Sequence, residues 1–270
     1  MTTSSGGFTA KDVAELRRVT GAGMLDARKA LVETGGDMDQ AKQWLREQGL
    51  AGAAKRSDRE RTEGAVSAIV LEGGRVGSLV ALECETDFVA KSADFVRLVD
   101  NLAEHLAVGG EEGMKADQEE VDGLRISLKE NIAVGRHARF EAPDGNVVDS
   151  YLHVQNGRGV NGVLVEMAGG SSQLAHDVAV HIAFAKPEYL RREDVPEPIV
   201  TAERETVETI ARNEGKPESQ LDKIVQGRLQ GWFKERVLLD QPYARDDKIS
   251  IAQLLGPAEV VRFAQVVVGA

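Results

Sequence analysis

Apolar positions at helical spacing open the chain. Val13 and Leu16, with Val19 as the next candidate, form a stripe that ends at Thr20-Gly21. Thr9 stands where a cap would sit, with Asp12 at the third helical position, and Phe8 and Val13 occupy the places of a hydrophobic staple. A second helix is expected from about Met24 to Thr34, ended by Gly35-Gly36. Asp37 and Gln40 form a candidate capping box for a third, which presents Ala41, Trp44 and Leu45 and stops at Gly49. The charged run Lys55 to Glu63 reads as a solvated tether.

Beyond the tether the spacing changes from helical to alternating and back, and it does so twice. Residues 65–71 and 76–85 flank Glu72-Gly73-Gly74-Arg75 as a β-hairpin. A helix with Phe95, Leu98, Val99, Leu102 and Leu106 follows, then a second with Val121, Leu124 and Leu128, then a strand near Ala133–Ala142. The plan recurs as a hairpin of Val147–Val154 and Val160–Ala168 around Asn156-Gly157, then a helix with Leu174, Val178 and Ile182. A short helix opened by Ser250 and Gln253 and a strand over Ala258–Val268 complete the second unit. Two related subdomains are expected, each a small antiparallel sheet with helices on one face.

Between the second unit's helix and its last strand, Pro187, Pro196 and Pro198 mark an exit from the sheet layer. One helix carries Val200, Val207, Ile210 and Ala211 up to Gly215-Lys216-Pro217, and another carries Leu221, Ile224, Val225, Leu229, Trp232 and Phe233. They predict an antiparallel helical hairpin. Its stripe could be spent on itself or continue outward to a second subunit, and both readings stand. The fold class is therefore α+β: a three-helix domain (1–54), a linker (55–63), core halves at 64–145 and at 146–190 with 238–270, and the inserted hairpin (191–237).

Charge sharpens this division. The 270 residues carry 33 Lys and Arg against 44 Asp and Glu, a net −11. Residues 1–62 hold 11 Lys and Arg and nine Asp and Glu, a net +2 that leaves −13 for the rest. A body this acidic repels phosphate backbones, so no direct nucleic-acid contact is expected. The single cysteine, Cys84, excludes an intramolecular disulfide framework and a cysteine-rich zinc site. A polar start over Met1–Gly7 and no apolar run of membrane-spanning length predict a cytoplasmic protein without a membrane partner.

Catalytic chemistry finds little support. Phosphate-loop, H-E-x-x-H and G-x-S-x-G patterns are missing from the sequence. Gly157, Gly159 and Gly162 spell G-x-G-x-x-G, but Val163-Leu164-Val165 continues as a strand where a dinucleotide site needs a helix, so they read as hairpin turn and bulge residues. Among His105, His137, His153, His176 and His181, none stands four residues from another, the spacing that aims two imidazoles at one metal. His105 and His181 are expected to flank packed stripes, and Cys84 to be a small core hydrophobe. No catalytic residue, metal ligand or cofactor is assigned.

The unusual local feature is Cys84-Glu85-Thr86-Asp87-Phe88-Val89-Ala90-Lys91, where a strand ends at a cappable Thr86. Phe88 could be a core anchor behind a helix cap. It could instead face outward on a rigid corner and enter a partner's pocket, with Asp87 beside it perturbing phosphate or a cation's ligands.

Thr86-Asp87-Phe88-Val89, together with Thr20-Gly21-Ala22-Gly23-Met24-Leu25-Asp26-Ala27-Arg28-Lys29-Ala30-Leu31, resembles the bacterial elongation factor Ts family. The resemblance covers residues 8–268, including the hairpin insertion and its Gly-Lys-Pro break. It implies a nucleotide-exchange factor, not an enzyme, that binds elongation factor Tu in its GDP form, disturbs the magnesium and phosphate site and lets GDP leave. Carried over by motif, Phe88 would wedge beside the nucleotide site, Asp87 would displace the magnesium-coordinating arrangement, and Thr86 and Val89 would hold the corner. The head resembles a ubiquitin-associated fold, whose Arg17, Met24 and Leu25 would contact the nucleotide-binding domain, while His153 would press on the third domain. The hairpin would be the self-association region.

Two departures qualify the carry-over. The chain stops at Ala270, so the C-terminal helical module of some family members, with its partner contact, is expected to be absent. Leu25 in place of a second Met conserves volume. Two other classes remain open: an adaptor gripping helical partners through the head, and an enzyme with a pocket near His137 or His153.

Overall fold

Thr9 caps α1 (Ala10–Thr20) through a reciprocal box with Asp12, and Gly21 ends it in the left-handed region at φ 67°. The Thr9 N–H, donating to Asp12 Oδ2 at 2.6 Å, holds that carboxyl below its ordinary range. α2 spans Met24–Glu33 and α3 spans Met38–Ala54. Phe8, Val13, Leu16, Leu31, Ala41 and Leu45 close a small core with Trp44 at its edge. This computed structural model describes residues 7–269; Ala270 and the start of the chain as far as Gly6, part of the stretch read for a signal, lie outside them.

Four expectations for the head change. Val19 is 50% exposed, so the buried stripe of α1 stops at Leu16. Asp37 accepts from the Asp39 and Gln40 N–H groups, but Gln40 answers only with its side-chain amide on the Asp37 carboxylate, so the box is not reciprocal. α3 runs through Gly49. A Cβ there would lie 2.5 Å from Ile126 Cγ2, so this glycine marks a close approach between helices and no terminus. The tether is exposed along much of its length yet strapped down. Asn131 Nδ2 donates to the carbonyls of Ser57 (3.0 Å) and Arg59 (2.7 Å), and Arg61 pairs with Glu83 at 3.1 Å.

The duplicated plan is present. β1 (Glu63–Leu71) and β2 (Val76–Cys84) form the first hairpin, followed by a single turn, α4 (Asp87–Ala90), then α5 (Ala93–Lys115), α6 (Gln118–Leu128) and β3 (Ala133–Glu141). β4 (Asn146–Gln155), β5 (Arg158–Ala168) and α7 (Ser172–Ala185) open the second unit. α8 (Glu197–Asn213) and α9 (Leu221–Arg236) are inserted, and β6 (Pro242–Tyr243), β7 (Asp246–Ser250), α10 (Ile251–Leu255) and β8 (Glu259–Val267) close the chain. The sheets are ordered β1-β2-β3 and β4-β5-β8, antiparallel throughout, so the third strand of each unit lies beside the second.

Strand alternation shows why the two halves stay together. On β2, Val80, Leu82 and Cys84 face α5, whereas Leu79 and Ala81 face the other sheet. On β5, Val163, Val165 and Met167 face α7, and Leu164 faces Leu79, Val148 and Phe140. The result is four layers, helix–sheet–sheet–helix. Each sheet has a helix on one face as expected, and its other face is covered by its duplicate, which the sequence reading did not foresee. The glycines of the G-x-G-x-x-G string serve this contact. Gly157 takes the hairpin turn at φ 79° and Gly159 borders a bulge at Val160, but a Cβ on Gly162 would lie 2.5 Å from Leu79 Cδ1. Gly162 is therefore an inter-sheet spacer and no bulge residue.

The hairpin packs against itself: Val207 of α8 meets Val225 and Leu229 of α9. His181 is buried, bonded to Gln241 Oε1 at 2.9 Å and to the Ala244 N–H, and burial lowers its pKa. His105 bonds Asp117 at 2.7 Å, beyond a break in α5 at Gly110. No helix among the described residues is long and apolar enough to cross a membrane.

Gly159→Ala would drive a methyl group into the Val66 carbonyl of the facing sheet. We expect a loss of about 2–3 kcal/mol in urea unfolding; an unchanged midpoint would refute the close sheet contact.

Candidate functional site

β2 delivers the chain to the corner with Cys84 buried, and that burial pushes its thiol up to about 12. The thiol is bonded to the Thr86 carbonyl at 3.3 Å. Thr86, in extended conformation, then caps α4 by accepting from the Val89 N–H. Within that single turn Ala90 is buried and Val89 packs against the core under α5. Phe88, one position earlier, faces away and is 83% exposed. Of the two directions left open by the sequence for this ring, it takes the outward one. Thr86 is nonetheless the helix cap that the inward reading also required.

Asp87 lies at the first helical position and pairs with Lys91 four residues on, at 2.5 Å. That hydrogen bond, more than any other influence, holds its carboxyl below the usual aspartate range, so it is ionised at neutral pH. Behind the corner Arg158 is nearly enclosed. It pairs with Glu63 at 2.7 Å, while its Nε and Nη1 are buried without an acceptor.

The corner is gripped from outside by residues that sequence reasoning missed. Glu130 Oε2 accepts from the N–H groups of both Glu85 and Thr86 at 3.1 Å, and Glu130 Oε1 accepts from the Thr86 hydroxyl at 2.6 Å. The Asn131 N–H in turn donates to Glu85 Oε1 at 2.7 Å. Lys129 pairs at 3.1 Å with Asp26, two residues beyond Met24 in the head. Lys129-Glu130-Asn131 reads locally as a polar link between a helix and a strand, and nothing in its spacing signals the contact.

The remaining sequence-derived candidates lie on other elements, α1, α2 and β4. Arg17 is exposed on α1, and Met24 and Leu25 are exposed at the start of α2, Leu25 to 81%. Val19, Met24 and Leu25 are thus exposed apolar side chains of the head. His153 is exposed on β4, opposite Asn161 of β5.

Known proteins resemble the chain over nearly its whole length. The family model described as elongation factor TS matches residues 85–270, beginning at the corner itself. The elongation factor Ts of Renibacterium salmoninarum is 46% identical over 280 residues, spanning 97% of this chain and 99% of that protein. The elongation factor Ts of Streptomyces coelicolor is 42% identical over 277 residues, again with 97% and 99% spanned. That of Symbiobacterium thermophilum is 42% identical over 261 residues, spanning 92% of this chain and 85% of its own.

Replacing Glu130 with Ala leaves two backbone donors and a hydroxyl at the corner without their acceptor. The expected cost is about 1–3 kcal/mol, with faster hydrogen exchange at the Glu85 and Thr86 amides. Unchanged protection there would show that the carboxylate does not hold the corner.

Proposed function

This chain belongs to the elongation factor Ts family, and on that premise we propose that it is a guanine-nucleotide exchange factor for elongation factor Tu. It binds the GDP form, disturbs the magnesium and phosphate site, and promotes release of GDP so that GTP can enter. The observation that carries this reading is the direction of Phe88. A phenyl ring left 83% in water has most of its apolar surface still to bury. Docking in a pocket would realise on the order of 2–3 kcal/mol from that area. The ring sits on a corner fixed by capping and by Glu130, so little ordering entropy opposes insertion.

Each remaining candidate has a part in this proposal. Asp87, ionised beside the ring, brings negative charge toward the magnesium and phosphate site, where it competes with ligand oxygens for the cation. Thr86 holds the turn through its cap, and Val89 anchors it to the core. Arg17, Met24 and Leu25 provide a second contact from the head, and His153 a third from β4. No bond is made or broken by the factor. It needs only to favour the nucleotide-free partner, and by linkage the factor by which it weakens GDP equals the factor by which GDP weakens the complex.

Self-association belongs to the same proposal and rests on the outer side of the hairpin. Ile199 and Ile210 are both partly exposed on α8 and stand eleven residues apart, close to three turns, so they share one face.

In stopped-flow release of fluorescent GDP from elongation factor Tu, the chain should accelerate release at micromolar concentration. Phe88→Ala should remove about 30- to 100-fold of that effect, as loss of a hot-spot aromatic does, while the melting temperature stays put. A variant as active as the parent would refute the wedge. In sedimentation velocity, a dimer that Ile210→Asp converts to monomer is expected; a chain that is monomeric at every concentration would remove the self-association part.

A further inference from the structure

Where the head meets the core, a cleft of about 400 Å³ lies between α2, α3 and α6. That volume is within the range of small-ligand sites. Five cations line it, Lys29, Lys42, Arg46, Arg56 and Lys129, against one acid, Asp26. Four of the five come from the net-positive residues 1–62, and like charges gathered around one concavity repel.

Three of the five are partly answered by carboxylates: Lys42 by Asp39 at 2.9 Å, Arg46 by Glu119 at 2.8 Å and Lys129 by Asp26 at 3.1 Å. These pairs are largely exposed and hold weakly. Lys29 and Arg56 have no carboxylate partner among the described residues. The Lys29 ammonium lies 5.6 Å from the centroid of the Trp44 ring. Arg56 Nη2 donates to the Arg125 carbonyl at 3.2 Å, and its Nε is buried with no acceptor at all. A guanidinium with one nitrogen unanswered gains more than most from turning toward an anion, to which it can donate two parallel bonds. Lys129 adds its charge from a left-handed backbone position, φ 58°, at the end of α6, where glycine or asparagine is the usual occupant.

We propose that this cleft binds a diphosphate group, of the kind carried by nucleoside diphosphates, with Lys29 and Arg56 as its principal donors. The charge excess suits two linked phosphates better than a carboxylate. Donors from α2, from the strap after α3 and from the end of α6 converge on one volume. The site is separate from the Phe88 corner, and its occupancy does not depend on the exchange reading.

Isothermal titration calorimetry of the full chain, with no other protein present, tests the proposal using pyrophosphate, ADP and adenosine. Pyrophosphate and ADP should bind one to one and adenosine should not. Lys29→Glu, at an exposed position, should weaken both by at least about tenfold. Lys223→Glu, the same charge change at an exposed site on α9, should leave them within about twofold. Absence of saturable heat from pyrophosphate and ADP up to about 10 mM would overturn the proposal. Binding of ADP without pyrophosphate would overturn it too, as would equal weakening by the two variants, which would reduce the effect to overall charge.

Discussion

The Glu130 carboxylate bonds three donors of the corner at once, the Glu85 and Thr86 N–H groups and the Thr86 hydroxyl, and so sets the direction in which β2 hands over to α4. With that direction set, the remaining choices are local: the one-turn helix buries Ala90, leans Val89 on the core, and has only the outside left for Phe88. The flanking residues extend the constraint. Lys129 reaches the head at Asp26, and Asn131 reaches the strap at Ser57 and Arg59. Three consecutive residues therefore tie head, strap and corner together, and the exposed start of α2 and the exposed ring of α4 are positioned through one short segment.

That segment is only as rigid as the platform beneath it, which comes from the duplication. Each three-stranded sheet has two apolar faces and one helical cover, so neither half could bury its core alone. Stacking the sheets resolves this, and glycines at 77, 159 and 162 let the strands approach closely enough for Leu79, Val148 and Leu164 to interlock. Two polar side chains buried in these layers are each satisfied singly: Ser78 donates to the Ala103 carbonyl at 2.6 Å, and Asn161 to the Ala183 carbonyl at 2.9 Å. An exposed aromatic on such a platform would meet a partner at little conformational cost.

How much of this was legible in the sequence follows from the range of the interactions. Caps at Thr9, Thr86 and Ser250, the hairpins at 72–75 and 156–157 and the stripe of α5 depend on neighbours within a few residues, and their patterns could be read directly. Gly49 and Gly162 do not disclose their roles locally, because a glycine made necessary by a distant side chain looks the same as one that ends a helix or seats a bulge. Glu130 was invisible for the same reason, since its partners lie 44 and 45 residues away. Phe88 was undecidable from local pattern, because a one-turn helix has no periodicity to say which side is inside. The family resemblance, and not spacing, favoured the outward direction.

On the proposed function, Glu130 acts through the presentation of Phe88. A double-mutant cycle on GDP release from elongation factor Tu tests it, with Glu130→Gln, Phe88→Ala and the pair compared with the parent chain. Glu130→Gln should slow release when Phe88 is present and add nothing once the ring is gone. Additive losses would contradict it, for they would mean that the carboxylate and the ring contribute independently.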